Sequence, residues 1–443
     1  MERFPYVDCI GLAGAWSLGT VQTGGFELVH RASLKGGFGD ASVDRNRHLL
    51  GKDWEQDEGG DSSEWSPVDG VAYLNGTPPC SGFSLLNNTA AAARKAGKTE
   101  PITKRGIDSA INECMRELVR YAGKSVGSDG LPGPQVVSFE SVQGAGKEGR
   151  PLMQALRDML SADTGQQYGL SHVFMSGSSI GAPQFRHRYF VIFHRIAFGV
   201  DPIKPRRVAT YRDAIGDLQG HLLTWDAQPY RQPAIDPLFD AWWVKEQGIR
   251  KGAGKTVDAH AAYGDENDKA RTPRIYLEDL LPYFTEGGND EVPLQKFLAD
   301  NGRLPAGAEG WWDWENNRKK GFSSPRMIVP DRPGYVLTGG GLADFFHWAE
   351  PRYLTVRETA RLMGYPDTWS WDSASGLNQA SAWIGKCCPV TSGRWISQRI
   401  LHALRGEAEE PLTQIGEREG YFNCTLDYKR WPREISRLSQ TVK

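Results

Sequence analysis

The sequence predicts an α/β fold built on a parallel sheet, and three observations carry that prediction. The chain opens as strand, glycine turn, helix, strand. Further short apolar runs alternate with helix-compatible stretches to about residue 193. And 443 residues, 39% apolar and 24% charged, suffice for two or three domains with their own cores.

The elements follow in order. Residues 6–10 are a short apolar run that ends in Gly11-Leu12-Ala13-Gly14. Glycines at a strand-to-helix turn suit a nucleotide-like cofactor, and suit any tight turn equally. After Gly24-Gly25, residues 26–29 read as the second strand. Residues 51–70 hold seven acids against one lysine, which reads as a solvated loop. Residues 71–74 are a strand that runs into Asn75-Gly-Thr-Pro-Pro-Cys80. Residues 107–122 fit a helix, 136–139 a strand ending at Glu140, 151–162 a helix and 188–193 a strand. From about 219 to 335 the chain is rich in Trp, Pro, Gly and mixed charge without β/α alternation, which reads as a separate irregular domain. Helical periodicity returns at 355–363 and 393–404. The tail from 434 reads as frayed.

Composition sets limits on function. Lys+Arg is 52 against 54 Asp+Glu, a net charge of −2, which excludes binding of polyanions by bulk positive charge but not by a local basic cleft. Residues 182–212 supply a candidate cleft, with seven Lys/Arg and one Asp. The six cysteines, Cys9, Cys80, Cys114, Cys387, Cys388 and Cys424, show no metal-ligand spacing and are too few for a disulfide scaffold. Free thiols in a reducing compartment, no metal and no membrane span are expected. The N-terminus has no apolar core of a signal peptide.

Three positions stand out chemically. Cys80 lies at the tip of a strand, where parallel sheets place ligands; it is a nucleophile candidate, with a buried structural cysteine as the alternative. Glu140 also ends a strand and is either a general acid beside Cys80 or a solvated cap. In Gln184-Phe-Arg186-His-Arg188, alternation puts Gln184, Arg186 and Arg188 on one face, as phosphate contacts or a solvated basic surface.

Taken together and in order, these segments resemble the DNA (cytosine-5) methyltransferase family. Asp8-Cys-Ile-Gly-Leu-Ala-Gly14-Ala-Trp-Ser-Leu-Gly19 resembles its S-adenosylmethionine turn, Pro78-Pro79-Cys80-Ser-Gly-Phe-Ser84 its nucleophile loop and Phe139-Glu140-Ser141-Val142 its Glu-Asn-Val motif. Gln184-Phe-Arg186-His-Arg188 matches its Gln-x-Arg-x-Arg motif. Residues 352–367 are similar to the signature before its last motif, and Ile384-Gly-Lys386-Cys387-Cys388-Pro389 stands where the family has Ile-Gly-Asn-Ala-Val-Pro. The likeness covers residues 6–218 and about 330–405.

The resemblance implies a Rossmann-like methyltransferase sheet in a discontinuous catalytic domain, 1–218 and 339–443, around a target-recognition domain at 219–338. It implies S-adenosylmethionine held by Ile10, Gly11, Ala13, Gly14, Trp16, Asp53, Trp54, Pro79, Lys386, Cys387 and Cys388. Cys80 would attack C6 of a flipped cytosine, with Glu140 on the base edge and Arg186 and Arg188 in support. Ser81, Lys95, Lys98, Arg105, Gln184, Arg231, Lys251 and Lys255 would meet double-stranded DNA, bound by a monomer. The absence of a leading regulatory segment suits a bacterial or phage enzyme of the cytoplasm, in restriction–modification or another role. An RNA-directed relative is disfavoured by the 219–338 insertion, and a catalytically silent DNA-binding protein by the presence of Cys80 and Glu140.

The chain departs from the family at four places. Leu12 stands for a glycine, Ser141 for the Asn after the acid, and Lys386 for the Asn beside the cofactor. No acid ends the second strand, where Ser33, Ser42 and Asp44 are the nearby candidates for the ribose. An ammonium at Lys386 would repel a sulfonium, so an anionic donor, carboxy-S-adenosylmethionine giving 5-carboxymethylcytosine, is a second expectation.

Overall fold

A computed structural model describes residues 3–34, 38–51, 53–59, 64–79, 83, 112–201, 209–218, 326–327, 333, 336–337, 345–346, 354–375, 377–408, 412–413 and 419–425. Cys80, Ser81, Lys95, Lys98, Arg105, Arg231, Lys251 and Lys255 lie outside these residues, as does nearly all of 219–338. The chain divides into two compact units, Met1–Val208 with Cys387–Lys443, and Ala209–Lys386.

The first unit begins with β1 (Phe4–Cys9), α1 (Ala15–Val21), β2 (Phe26–Leu34), α2 (Asp40–Arg45) and β3 (Glu55–Gly59). It continues through β4 (Asp69–Val71), β5 (Tyr73–Gly76), α3 (Glu113–Lys124), β6 (Val126–Gly127), β7 (Val136–Ser141), α4 (Gln143–Lys147) and α5 (Arg150–Thr164). Then come β8 (Gly169–Ser176), β9 (His187–His194) and β10 (Phe198–Gly199). The second unit holds α6 (Tyr211–Ile215), β11 (Arg326–Met327), β12 (Phe345–Phe346), α7 (Val356–Leu362) and α8 (Leu377–Lys386). The first unit resumes with α9 (Val390–Leu404), β13 (Leu412–Thr413) and β14 (Gly420–Cys424).

Eight strands form one sheet in the order β14-β8-β9-β7-β5-β1-β2-β3. All pairings are parallel except those of β9, which runs antiparallel to both β7 and β8. The reversal is local: β8 and β9 are consecutive and joined by residues 177–186, too short for a crossover. The strand order turns outward from β1 in both directions, so the loops after β1, β5 and β7 open at one edge of the sheet.

Alternation divides the side chains between two faces. Val7, Cys9, Ala32, Leu74, Val137 and Phe139 pack with Met115 and Leu118 of α3 and Leu156 and Leu160 of α5. On the other face Tyr6, Phe26 and Tyr73 form an aromatic cluster with ring centroids 5.5–6.0 Å apart, and Trp16 of α1 packs on Phe190 at 5.4 Å. There α1 lies against α9 so closely that a Cβ on Gly19 would stand 2.4 Å from the Val390 carbonyl and 2.6 Å from the Arg394 nitrogen.

Local chemistry sets the helix ends. Proline in the first turn and Gly165, at φ 66°, bracket α5. Thr355 and Glu358 form a capping box on α7. Beyond several short helices and two-residue strands, the structure adds β3, β8, α8 and β14 to the expected elements. The Glu-Gln-Asp-Glu-Gly sequence of β3 reads as a loop because its charges suit an exposed edge strand, which carries little apolar signal.

Candidate active site

The turn after β1 is built on backbone that side chains rarely adopt. Ile10 and Leu12 have φ of 55° and 52°, and Gly14 has φ 78°. Each left-handed non-glycine residue costs on the order of 1–3 kcal/mol and persists only where its surroundings fix it. A Cβ on Gly11 would lie 1.9 Å from an Asp8 carboxylate oxygen, so only glycine fits there. Leu12 stands where the family has glycine and takes up the glycine-like conformation. Its carbonyl accepts from Arg31 Nη2 at 2.6 Å.

Arg31 belongs to a buried charged group. Its Nη1 meets Asp40 Oδ1 at 2.5 Å, its Nε lies 3.9 Å from Asp8, and Asp8 also accepts from Ser17. Burial raises the pKa of Asp8, with Arg31 opposing. The second carboxylate oxygen of Asp40 and the hydroxyl of Ser33, which shares a face of β2 with Arg31, are buried without a hydrogen-bond partner among the described residues. A Cβ on Gly39 would touch Ala13 at 2.8 Å, so the segment entering α2 lies directly on the turn. Two orphaned oxygens beside a strained glycine turn fit a ligand that offers hydroxyl groups.

A second cluster lies at the end of β7. Glu140 is 5% exposed and forms an ion pair with Arg188. Arg186 is buried; burial, then Arg188, lowers its pKa to about 9, with Glu140 opposing, so it stays charged at neutral pH. Cys387 and Cys388 are close enough to Arg186 to act on it electrostatically. Burial and then Glu140 push the Cys388 thiol well above its ordinary range, so it is held as a thiol. Burial, Arg188 and Lys147 lower His187 to about 4, leaving the ring neutral. Next to β7, β5 pairs Gly76 with Phe139 and leads through Thr77, Pro78 and exposed Pro79 toward Cys80.

Several expected roles change with the structure. Asp53 and Trp54 precede β3, and the parallel pairing of His30 with Glu55 puts them at the strand's start, away from the edge that carries the turn. Asp53 is exposed, and the Trp54 ring is buried beneath Arg47 at 3.7 Å. Trp16 is a core residue against Phe190. Gln184, expected on DNA, is fully buried. The basic stretch is not a free surface where it is described: Arg186 is buried, Arg188 pairs with Glu140, and Arg195 grips Asp129 through two nitrogens. Lys386 is exposed, so its ammonium is not held in the poorly solvated surroundings on which the anionic donor rested. Sequence reasoning passed over Arg31 and Asp40. Two charges nine residues apart carry no motif, and only the signal of a missing strand-tip acid pointed to the region.

Among the described residues no group of His, Cys, Asp and Glu could hold a metal ion, and no helix is long and apolar enough to cross a membrane.

The strand order and the loops at one sheet edge define a Rossmann-like α/β sheet. A crystal structure from E. coli, described as a DNA modification methyltransferase encoded within a prophage, shares this fold. It matches 91% of this chain and 99% of its own with a TM-score of 0.52 and 17% identity. The model of the C-5 cytosine-specific DNA methylase family matches residues 54–402, and the chain belongs to that family. It is a DNA (cytosine-5) methyltransferase. The type II methyltransferase M.XorII of Xanthomonas oryzae is 26% identical over 373 residues, 78% of this chain and 71% of the relative. M.BbvI of Brevibacillus brevis is 23% identical over 284 residues, 60% of this chain and 58% of the relative.

Proposed function

We propose that this enzyme methylates C5 of a cytosine flipped out of double-stranded DNA, with Cys80 as nucleophile and Glu140, Arg186 and Arg188 as its support. The observation that carries the reading is the buried Glu140 at the end of β7, the strand adjoining the one that leads to Cys80, paired with Arg188 of β9 and with Arg186 just before that strand.

Each residue has a task. The Cys80 thiolate adds to C6, and the electron density that it delivers makes C5 nucleophilic. Glu140 binds the base edge at N3 and N4 and stabilises the charge that develops there. Arg188 fixes the Glu140 carboxylate, and Arg186 supplies a buried positive charge beside it. S-adenosylmethionine supplies the electrophilic methyl group when bound. Loss of the C5 proton and of Cys80 then restores the aromatic ring. The turn from Ile10 to Gly14 would hold the cofactor, with Pro79, Cys387 and Cys388 at its borders. Asp40 and Ser33 would accept from its ribose hydroxyls in place of the missing strand-tip acid.

The segment 219–338 is proposed as the target-recognition domain and 1–218 with 339–443 as the catalytic domain. Arg231, Lys251 and Lys255 of the former, with Ser81, Lys95, Lys98 and Arg105, are its proposed DNA contacts. The named relatives are type II methyltransferases, which supports a bacterial restriction–modification role.

The test is mass spectrometry and bisulfite mapping of DNA from cells expressing the chain, beside Cys80→Ala and Glu140→Gln. 5-Methylcytosine at a fixed site is expected from the native chain. Cys80→Ala should give none while still binding DNA. Undiminished 5-methylcytosine from Cys80→Ala overturns the reading.

A further inference from the structure

One row of polar side chains crosses four parallel strands at a single level of the ladder. Ser138 of β7 pairs in register with Asn75 of β5, Asn75 with Asp8 of β1, and Asp8 with Arg31 of β2. All four residues are 0% exposed. The Ser138 hydroxyl donates to Asn75 Oδ1 at 3.2 Å, and Asn75 Nδ2 donates to Asp8 Oδ1 at 3.0 Å. Tyr73 OH and Ser138 Oγ are 2.8 Å apart, and Arg31 ends the row on Asp40 and the Leu12 carbonyl.

We propose that Asn75 is a positioning residue for methyl transfer, the hub that aligns the strand leading to Cys80 with the cofactor turn on one side and with Glu140 on the other. The placement carries the inference. Asp8 lies two residues before Ile10, Asn75 five before Cys80, and Ser138 two before Glu140. Each of the three loops thus grows from a strand tied to its neighbour just below the loop. An apolar row would pack as well, but it tolerates a two-residue slip, which keeps every side chain on its face and displaces a loop by roughly 7 Å. A buried polar row resists that slip, because any other register leaves an amide, a hydroxyl and a carboxylate unpaired. Asn75 is the only member of the Asp8–Asn75–Ser138 set that contacts both others, and its amide satisfies a donor and an acceptor at once.

The inference rests on Cys80 and Glu140 acting as proposed, and the test separates the two. Single-turnover methyl transfer is measured at saturating DNA and cofactor for the native chain, Cys80→Ala, Asn75→Leu and Asn75→Asp. S-adenosylhomocysteine affinity and thermal melting are followed alongside. Asn75→Leu should slow transfer about tenfold or more, while the affinity for S-adenosylhomocysteine changes less than about threefold. Asn75→Asp keeps the folded row when its carboxyl is protonated, since the O–H can donate to Asp8. When it ionises, two carboxylates about 3 Å apart repel. The charged and titratable groups acting on that pair are Tyr6, Cys9, Arg31, Asp40 and Tyr73, all common to the native chain. The ratio of Asn75→Asp to native transfer rate should therefore fall as pH rises between about 5.5 and 8.5. A flat ratio, or native transfer by Asn75→Leu, overturns the inference. Retained transfer in Cys80→Ala overturns the catalytic reading instead.

Discussion

Arg31 holds one oxygen of Asp40 at 2.5 Å and leaves the other buried and without a hydrogen-bond partner among the described residues. The pair places a carboxylate beside the Ile10–Gly14 turn in a chain whose second strand ends without an acid. Asp40→Asn keeps an acceptor for Arg31 and puts an NH2 donor in place of the orphaned oxygen, so no acceptor is left there for a ligand hydroxyl. It is expected to weaken S-adenosylhomocysteine binding by roughly 10- to 100-fold, in line with the ~1.5–3 kcal/mol of a charge-assisted hydrogen bond. Isothermal titration calorimetry reads this directly, and Ser33→Ala should show a smaller loss.

Arg188 is the partner of Glu140. Arg188→Met leaves a nearly buried carboxylate without its cation, and single-turnover methyl transfer should fall at least tenfold. Arg188→Lys, which restores charge without the guanidinium fork, should recover only part of that loss. Cofactor affinity, measured in the same preparations, should stay near the native value.

His194 is fully buried, and desolvation lowers its pKa to about 4. Its Nδ1 lies 2.7 Å from the Ile196 carbonyl, which fixes the proton there, and Nε2 lies 3.0 Å from Ser171 Oγ. The unfolded imidazole titrates near 6.5, so between pH 6.5 and 4 the unfolded chain binds more protons than the folded one. The stabilisation is complete above pH 6.5 and is lost as pH falls toward 4, about 3 kcal/mol in all. Urea midpoints between pH 4 and 8 should show this slope, and His194→Gln should remove its share.

Gly19 lies where α1 meets the backbone of α9. Alanine is the better helix former by about 1 kcal/mol, but overpacking against rigid backbone costs ~1–3 kcal/mol. The second effect should dominate, because neither the Val390 carbonyl nor the Arg394 amide can rotate aside. A melting temperature below the native value for Gly19→Ala checks this.

Much of the site was legible because its chemistry is local in sequence. The Gly11–Gly14 turn, the run through Pro78 and Pro79, Glu140 at a strand tip and the paired Arg186 and Arg188 each declare a motif within a few residues. Apolar runs placed β1, β2, β7 and β9, since strands buried on both faces of a covered sheet read as continuous hydrophobic stretches. Charged β3 failed that criterion, and the placement of Asp53 and Trp54 at the start of β3 was not legible either, because strand direction and register are not written in a dipeptide.

The sequence by itself determined the family, the strand tips and the residue types available for thiol addition and charge stabilisation. Only the tertiary structure decided which of them meet. It brought Arg31 to Asp40, Arg188 to Glu140, and Asp8, Asn75 and Ser138 into one hydrogen-bonded row. It also withdrew Gln184, Arg195 and Trp16 from the surface or site roles their sequence neighbourhood suggested. The physical reason is that burial and lateral pairing join residues as distant as Thr20 and Ser397, 377 positions apart, and desolvation then dictates which polar groups must find each other.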